Sequence, residues 1–248
     1  MAPGRDVKVV LDDGDPSPPS PKPVAASMSA KIITYFTVIL TTTTILVSYV
    51  TAASLHHVPA FLPMISDCAV KAPEMYLFRY GLLVAASSLA VNVLVIHAAT
   101  KSTYSLPHAT MVSGFLASFG LGLLTSVNED ESNPVHTTGA VMFFLCYEFV
   151  MLVISYNAQY DARVSRLSLN VKRTAAVISL ISLLALVAMS SQFHHFRVPI
   201  AVCEWTSTIM IQIFNLSFVK DLGTTTIQEI SGIHISSPGT YRPLRNMV

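Results

Sequence analysis

The chain has 248 residues, of which 52% are hydrophobic and 12% are charged, whereas a soluble domain carries about a quarter charged residues. Its net charge of +1 gives no indication of a nucleic-acid partner, and three cysteines exclude a dense disulfide framework while leaving room for one bridge. The composition therefore excludes a large soluble domain and is typical of a multi-pass membrane protein.

The first 31 residues are polar and rich in proline. They include the run DDGDPSPPSPKP at residues 12–23. A segment of this composition cannot bury enough apolar surface to fold, so residues 1–31 are predicted to form a disordered tail. The PxxP pattern from Pro16 to Pro19 is also compatible with an SH3-type partner, but a solvated tail is the simpler interpretation.

Six apolar runs follow, at residues 32–53, 76–96, 107–127, 135–156, 174–193 and 198–219. Each is about as long as the roughly 20 residues that cross a bilayer as a helix, and no strand-like alternation competes with this interpretation. The sequence therefore predicts an all-α polytopic membrane bundle of six transmembrane helices over residues 32–222. A C-terminal tail would follow over residues 223–248.

Lysine and arginine are concentrated in the two tails and in alternate loops. These positions are Arg5, Lys8, Lys22, Lys31, Lys101, Arg163, Arg166, Lys172, Arg173, Lys220, Arg242 and Arg245. The remaining basic residues, Lys71, Arg79 and Arg197, fall on the other side. Because cytosolic loops carry the excess of basic residues, both termini are predicted to be cytosolic. The outer loops are then residues 54–75, 128–134 and 192–197.

Polar residues inside the runs recur at helical spacing. The polar stripe of the sixth run consists of Glu204, Thr208, Gln212 and Asn215. Two further faces hold Gly81, Ala85, Ser88 and Asn92 in the second run, and Gly114, Ser118 and Gly122 in the third. Such residues are expected to face the bundle rather than lipid, where they hold helices together.

Glu204 lies near the outer end of the sixth run, beside Trp205. Three interpretations are open. The carboxylate could be a structural group that pairs with a neighbour such as His136 or Arg79, with Trp205 as an interfacial anchor. It could instead bind a lipid head group or a proton, or act as an acid or base in catalysis.

Histidines, carboxylates and cysteines also collect on the predicted outer side. The histidines are His56, His57, His136, His194 and His195. Such residues can bind zinc, but no HExxH-like spacing occurs, so neither a metal site nor a cofactor is predicted. Histidines facing an acidic lumen could also respond to pH. Cys68 and Cys203 share this side and could form a disulfide.

Five short motifs appear in order along the chain. PMISDC (63–68) and APE (72–74) lie in the first outer loop, VHTTGA (135–140) begins the fourth run, AVCEW (201–205) begins the sixth, and LSFVKDL (216–222) ends it. This order resembles the damage-regulated autophagy modulator (DRAM) family, within a superfamily that includes transmembrane-150, Frag and Sfk proteins. The resemblance covers residues 32–222 and implies six helices with cytosolic termini. Its motif residues, candidates for lipid binding or helix pairing, are Asp67, Glu74, His136, Gly139, Glu204, Trp205 and Asp221.

The resemblance implies a non-enzymatic membrane protein that modulates autophagy, lysosomal behaviour or phosphoinositide-kinase recruitment. The alternative is a lipid-handling protein, active in GPI-lipid remodelling or phospholipid asymmetry. Membrane lipids and a cytosolic adaptor or lipid-kinase complex are the expected partners. The motif YRPL, from Tyr241 to Leu244, is compatible with a tyrosine-based sorting signal. A lysosomal or endosomal membrane is therefore the expected location, with the plasma membrane as the alternative.

Overall fold

A computed structural model of the chain describes residues 29–100, 108–162, 164–190 and 193–223. The helices in these residues are α1 (Lys31–Ser54), α2 (Glu74–Thr100), α3 (His108–Ser126), α4 (Glu129–Asn157), α5 (Arg166–Ser190) and α6 (Phe193–Asp221). Short 3₁₀ turns occupy Ser66–Ala69 and Ala158–Tyr160. The PxxP pattern from Pro16 to Pro19 and the Tyr241 and Leu244 signal lie outside the described residues, so both remain predictions.

The helices form the all-α membrane bundle that the sequence predicts. Helices α1 to α5 are each long and apolar enough to cross a membrane. Helix α6 covers the sixth predicted run but is not among these five, because its stripe of polar side chains lowers its hydropathy. The helical membrane architecture is confirmed, whereas the six-span count and the cytosolic termini remain predictions.

The helices pack in a closed ring, each against the next along the chain and α1 against α6. Tyr49 of α1 and Trp205 of α6 meet edge to face, with ring centroids 5.7 Å apart. The end of α1 and the start of α6 therefore share one end of the bundle with residues 55–73, and we call this the loop end. The other end, where α1 begins and α6 finishes, is the tail end.

Helices α3 and α4 cross with their backbones in close contact at two glycines. A Cβ atom on Gly139 would lie 2.5 Å from the Leu124 amide nitrogen and 2.9 Å from the Gly120 carbonyl oxygen. A Cβ on Gly120 would meet the Phe143 nitrogen at 2.6 Å. Only glycine permits this crossing because any side chain at either position would strike backbone. Gly122, part of the predicted ridge, has space on its α2 side, with Leu83 Cδ1 at 3.8 Å.

Three helix starts differ clearly from the predicted runs. One is that of α6, which begins at Phe193 rather than near residue 198, inside the predicted outer loop of residues 192–197. Helix α4 begins inside the predicted outer loop because Asn128 and Glu131 form a capping box, each side chain accepting from the other residue's backbone amide. Helix α5 begins at Arg166 rather than near residue 174. The first turns of α5 are polar, but Lys172 within them is only 1% exposed. The prediction that Lys172 belongs to an open basic loop is therefore wrong.

Candidate functional site

The loop of residues 55–73 is fastened to the head of α6 through its backbone. The Glu204 carboxylate accepts a hydrogen bond from the Ile65 amide at 2.9 Å and one from the Ser66 amide. The Trp205 indole nitrogen donates to the Pro63 carbonyl at 2.8 Å. We call these two side chains and the backbone of residues 63–66 the loop clamp. The loop clamp explains why the acid and the tryptophan are adjacent, because both side chains bind the same short stretch of loop backbone.

Two further contacts between side chains flank the loop clamp. The Arg197 guanidinium donates to both Asp67 oxygens, at 3.0 and 2.9 Å. The His57 imidazole contacts the Glu74 carboxylate, which is only 1% exposed. The predicted motif residue Asp67 thus joins the loop to α6, and Glu74 joins the start of α2 to the residues that follow α1.

The partners suggested by sequence for Glu204 are engaged elsewhere. Arg79 donates to Glu131 at 2.6 Å. His136 Nδ1 lies 2.8 Å from the Leu124 carbonyl and 3.0 Å from the Val127 carbonyl, where it ties the start of α4 to the end of α3. Pairing of Glu204 with His136 or Arg79 is therefore wrong, because loop amides already occupy the carboxylate.

The disulfide between Cys68 and Cys203 is not formed, and both residues are free thiols. The Cys68 thiol points back along its own loop, where it donates to the Met64 carbonyl at 3.5 Å. Burial raises the pKa of this thiol from 9.0 to about 12, helped by the nearby carboxylates of Asp67, Glu204 and Glu74. The group is therefore neutral across the physiological range.

Cys68 is expected to resist alkylation while the protein is folded. In a variant that keeps Cys68 as its one cysteine, labelling by iodoacetamide at pH 8.5 should be at least about tenfold slower than in urea, because the thiolate reacts and burial suppresses it. The raised pKa also means that the free energy of unfolding falls as pH rises between about 9 and about 12, since only the unfolded thiol loses its proton there. Equal labelling rates in both states would contradict this account.

Loss of the Glu204 acceptor is expected to release the loop. Glu204→Leu leaves two amides without a partner and should cost about 1–3 kcal/mol of stability, whereas Glu204→Gln keeps a carbonyl oxygen and should cost less. Hydrogen exchange of residues 60–70 in detergent should quicken in Glu204→Leu and in Trp205→Phe. The lipid-facing change Val202→Ala is the control. Unchanged exchange in Glu204→Leu would show that the clamp does not order the loop.

A narrow cavity lies under the loop clamp, between α1, α2, α3, α4 and α6. Its volume is about 60 Å³. All four residues of the polar stripe, Glu204, Thr208, Gln212 and Asn215, line it, which confirms the prediction that the stripe faces the bundle. Thr37 and Thr41 of α1 extend this polar wall, and aliphatic and aromatic side chains of α2, α3 and α4 form the opposite wall.

A buried hydrogen-bond network closes the inner end of the cavity. Thr34 donates to the Asn92 side-chain oxygen at 2.8 Å, and the Asn92 amide donates to the Asn215 oxygen at 3.1 Å. Tyr147 donates to the same oxygen at 2.7 Å, and the Asn215 amide donates to the Ile211 carbonyl. Sequence patterns indicated the two asparagines. They gave no signal for Thr34 or Tyr147, because single hydroxyl residues occur widely in membrane helices.

At the tail end, the predicted motif residue Asp221 pairs with buried Lys172, Nζ to Oδ2, at 2.5 Å. Ser168 donates to the same carboxylate oxygen at 2.9 Å, and Lys172 also donates to the Ser217 hydroxyl at 2.7 Å and to the Ser168 hydroxyl at 3.0 Å. The ammonium group sits 4.2 Å from the centroid of the Phe218 ring. This arrangement joins α5 to α6 and uses all three donors of the lysine.

Within the part of the chain that the structure describes, no group of three or more histidine, cysteine, aspartate or glutamate side chains converges as a metal site would require. Among the described acids, those at Asp67, Glu74, Glu131, Glu204 and Asp221 instead make the contacts given above. These side chains hold the loop of residues 55–73 in place, join neighbouring helices and line the cavity.

Comparison with known proteins extends this picture. Residues 29–225 match the Frag1/DRAM/Sfk1/Cwh43P N-terminal domain family. The chain is 27% identical to DNA damage-regulated autophagy modulator protein 1 of Homo sapiens over 213 residues, 75% of this chain and 90% of that protein. It is 25% identical to the Xenopus laevis protein of that name over 215 residues, 76% and 89% of the two chains. It is 36% identical to DNA damage-regulated autophagy modulator protein 2 of Bos taurus over 132 residues, 49% of this chain and 50% of that protein. No solved structure matches significantly.

Proposed function

Because the chain belongs to the Frag1/DRAM/Sfk1/Cwh43P family, as its motifs predict, we propose that it is a non-enzymatic membrane protein that modulates autophagy from a lysosomal or endosomal membrane. The observation that carries the proposal is the match to DNA damage-regulated autophagy modulator protein 1 along 90% of that protein's length. The family match over residues 29–225 covers the whole helical bundle, not one motif.

The pairing of the acids supports a non-enzymatic role. Glu204, Asp67 and Glu74 are engaged by loop amides, Arg197 and His57 respectively. A general acid or base must reach a substrate proton, whereas these groups hold the loop and the helix ends in position. The protein would therefore act by binding, with membrane lipids or a cytosolic adaptor or lipid-kinase complex as partners.

The test is autophagic flux in cells that lack the protein. Deletion should change the accumulation of lipidated autophagosome marker measured with and without a lysosomal inhibitor. Re-expression of the wild-type chain should restore it, and so should Glu204→Gln, since a structural carboxylate can be replaced by an amide that keeps the acceptor. Unchanged flux on deletion would overturn the proposal. Restoration by wild type but not by a folded Glu204→Gln would instead make the charge itself essential.

Localisation is tested separately with a fluorescent tag. The wild-type chain is expected in lysosomes or late endosomes, and Tyr241→Ala should shift it to the plasma membrane. Plasma-membrane residence of both proteins would dismiss the sorting signal. A fall in plasma-membrane phosphoinositide on deletion would then favour recruitment of a lipid kinase over a lysosomal role.

A further inference from the structure

The loop of residues 55–73 descends beside α1 and α6 instead of projecting from the end of the bundle. The Tyr49 hydroxyl donates to the Ala60 carbonyl at 2.8 Å, and the Trp205 indole donates to the Pro63 carbonyl at 2.8 Å. Tyr49 lies five residues before the last residue of α1, and Trp205 lies twelve residues after the first residue of α6. Residues 60–63 therefore lie beside the two helices, below their ends.

The same two helices give the depth of this segment in the membrane. Lys31 and Lys220 mark the surface at the tail end, because a charged side chain is costly inside hydrocarbon. Tyr49 is eighteen residues from Lys31, about 27 Å along a helix, and Trp205 is fifteen residues from Lys220, about 22 Å. The hydrocarbon core is about 30 Å thick, so both side chains lie within it, and a tilt of either helix would only place them deeper. Two independent measures thus put residues 60–63 inside the leaflet at the loop end.

The backbone of this segment is bound in the way that such a depth requires. No water is present in hydrocarbon, so the polar groups of a non-helical backbone must find partners in the protein. Side chains bind five of them: the carbonyls of Ala60 and Pro63 and the amides of Met64, Ile65 and Ser66. Pro59 and Pro63 lack an amide hydrogen and so remove two further donors. A loop in water would have solvent for all of these groups.

Phe61 lies between the two fixed carbonyls and is 78% exposed. The next residue, Leu62, has a φ of 44°, a left-handed conformation that is rare for a bulky side chain, so the chain turns sharply at this point. Near the same depth, the exposed side chains Val50 of α1 and Val202 of α6 are apolar. An aromatic ring that the bundle leaves uncovered at this depth meets lipid.

We propose that residues 59–66 form a re-entrant segment whose tip, Phe61, inserts among the acyl chains of the leaflet at the loop end. The partner is the membrane lipid itself, which Phe61 contacts as an apolar surface. Glu204 and Trp205 then have a clear purpose, since they bind backbone groups where water is absent. The proposal goes beyond the modulator role and does not depend on it, because it is tested on purified protein without reference to autophagy.

The experiment places a nitroxide spin label at single positions of the full chain in liposomes. It measures collisions of the label with oxygen, which concentrates in hydrocarbon, and with a nickel chelate, which stays in water. Phe61→Cys is labelled in a background of Cys146→Ala and Cys203→Ala. Cys68 stays in place because it is only 1% exposed, and the unsubstituted background shows how little label it takes up.

Two positions calibrate the result. Val50→Cys is the lipid control, and Lys71→Cys, on a half-exposed residue of the same loop, is the water control. The label at position 61 is expected to match that at position 50, with frequent oxygen collisions and rare nickel collisions. Collisions like those at position 71 would overturn the proposal and place the loop tip in water. Rare collisions with both reagents would also overturn it, because they would mean that protein covers the tip.

Charge at the tip provides a second test. In liposomes, Phe61→Asp should speed hydrogen exchange of residues 60–70 at least about tenfold, because a carboxylate at this depth draws the loop outward into water. Phe61→Leu should exchange as the wild type does. His56→Asp, which adds the same charge at an exposed position just after α1, is the matched control and should leave exchange unchanged. Wild-type exchange in Phe61→Asp would contradict insertion, since a side chain exposed to water tolerates a charge.

Discussion

Replacing Lys172 with methionine should lower the free energy of unfolding by about 3–5 kcal/mol, because it leaves the Asp221 carboxylate buried without its cation. The lysine is 1% exposed and the Asp221 side chain 11%, so water cannot substitute for the lost partner. Asp221→Leu should cost a similar amount for the converse reason. Unfolding in mixed micelles, titrated with a denaturing detergent, measures both.

The double variant Lys172→Met with Asp221→Leu is the decisive comparison. It removes both charges, and the hydroxyls of Ser168 and Ser217 keep backbone carbonyls to donate to. Its stability should return to within about 1 kcal/mol of the wild type, since apolar replacement of a buried pair is often neutral. Lys220→Met, on the exposed side of the same helix end, should change stability by less than about 0.5 kcal/mol. Additive losses in the double variant would show that the two charges do not act as a pair.

Gly139→Ala should destabilise the protein, although alanine ordinarily favours a helix over glycine by about 1 kcal/mol. The added methyl group would lie 2.5 Å from the Leu124 amide nitrogen, and backbone cannot move aside without parting α3 from α4. Overpacking of this kind costs about 1–3 kcal/mol or more. Gly120→Ala should behave alike because it meets the same crossing from the other helix.

Gly122→Ala is the matched control, because its methyl group would not meet the backbone of α4. The nearest atom to that methyl group would be Leu83 Cδ1 at 3.8 Å. Because alanine favours a helix over glycine, the stability of this variant should be unchanged or slightly raised. Thermal midpoints of the three variants in detergent provide the comparison. A Gly139→Ala protein as stable as Gly122→Ala would mean that the crossing is looser than its geometry implies.

Sequence patterns predicted the helices because a bilayer requires apolar runs of about 20 residues. They predicted the inward face of α6 because its polar residues recur at helical spacing. The partner of Glu204 escaped prediction for a physical reason: backbone amides of residues 65 and 66 carry no residue-type signature. Lys172 was misplaced because a lysine near a run of basic residues fits a cytosolic loop equally well. Nothing in the sequence showed that Asp221 lies beside it.

The role of Gly120 could not be predicted for a similar reason. It falls outside the small-residue ridge of Gly114, Ser118 and Gly122, and its importance depends on Gly139, which belongs to another helix. Gly139 itself was a candidate from the family motif VHTTGA alone. The face that a helix turns toward the bundle can be predicted from its own sequence. A contact that depends on one particular residue of another helix cannot be predicted in this way.

The network of Thr34, Asn92, Tyr147 and Asn215 has a consequence for biosynthesis. It draws on α1, α2, α4 and α6, and Asn92 is 123 residues ahead of Asn215. At ~5–20 residues per second of translation, roughly 6–25 seconds separate the synthesis of these two asparagines. During that interval the Asn92 amide has no native acceptor in the membrane. The early helices must therefore be held by the insertion machinery or by provisional contacts until the last helix arrives, and only then does the ring close.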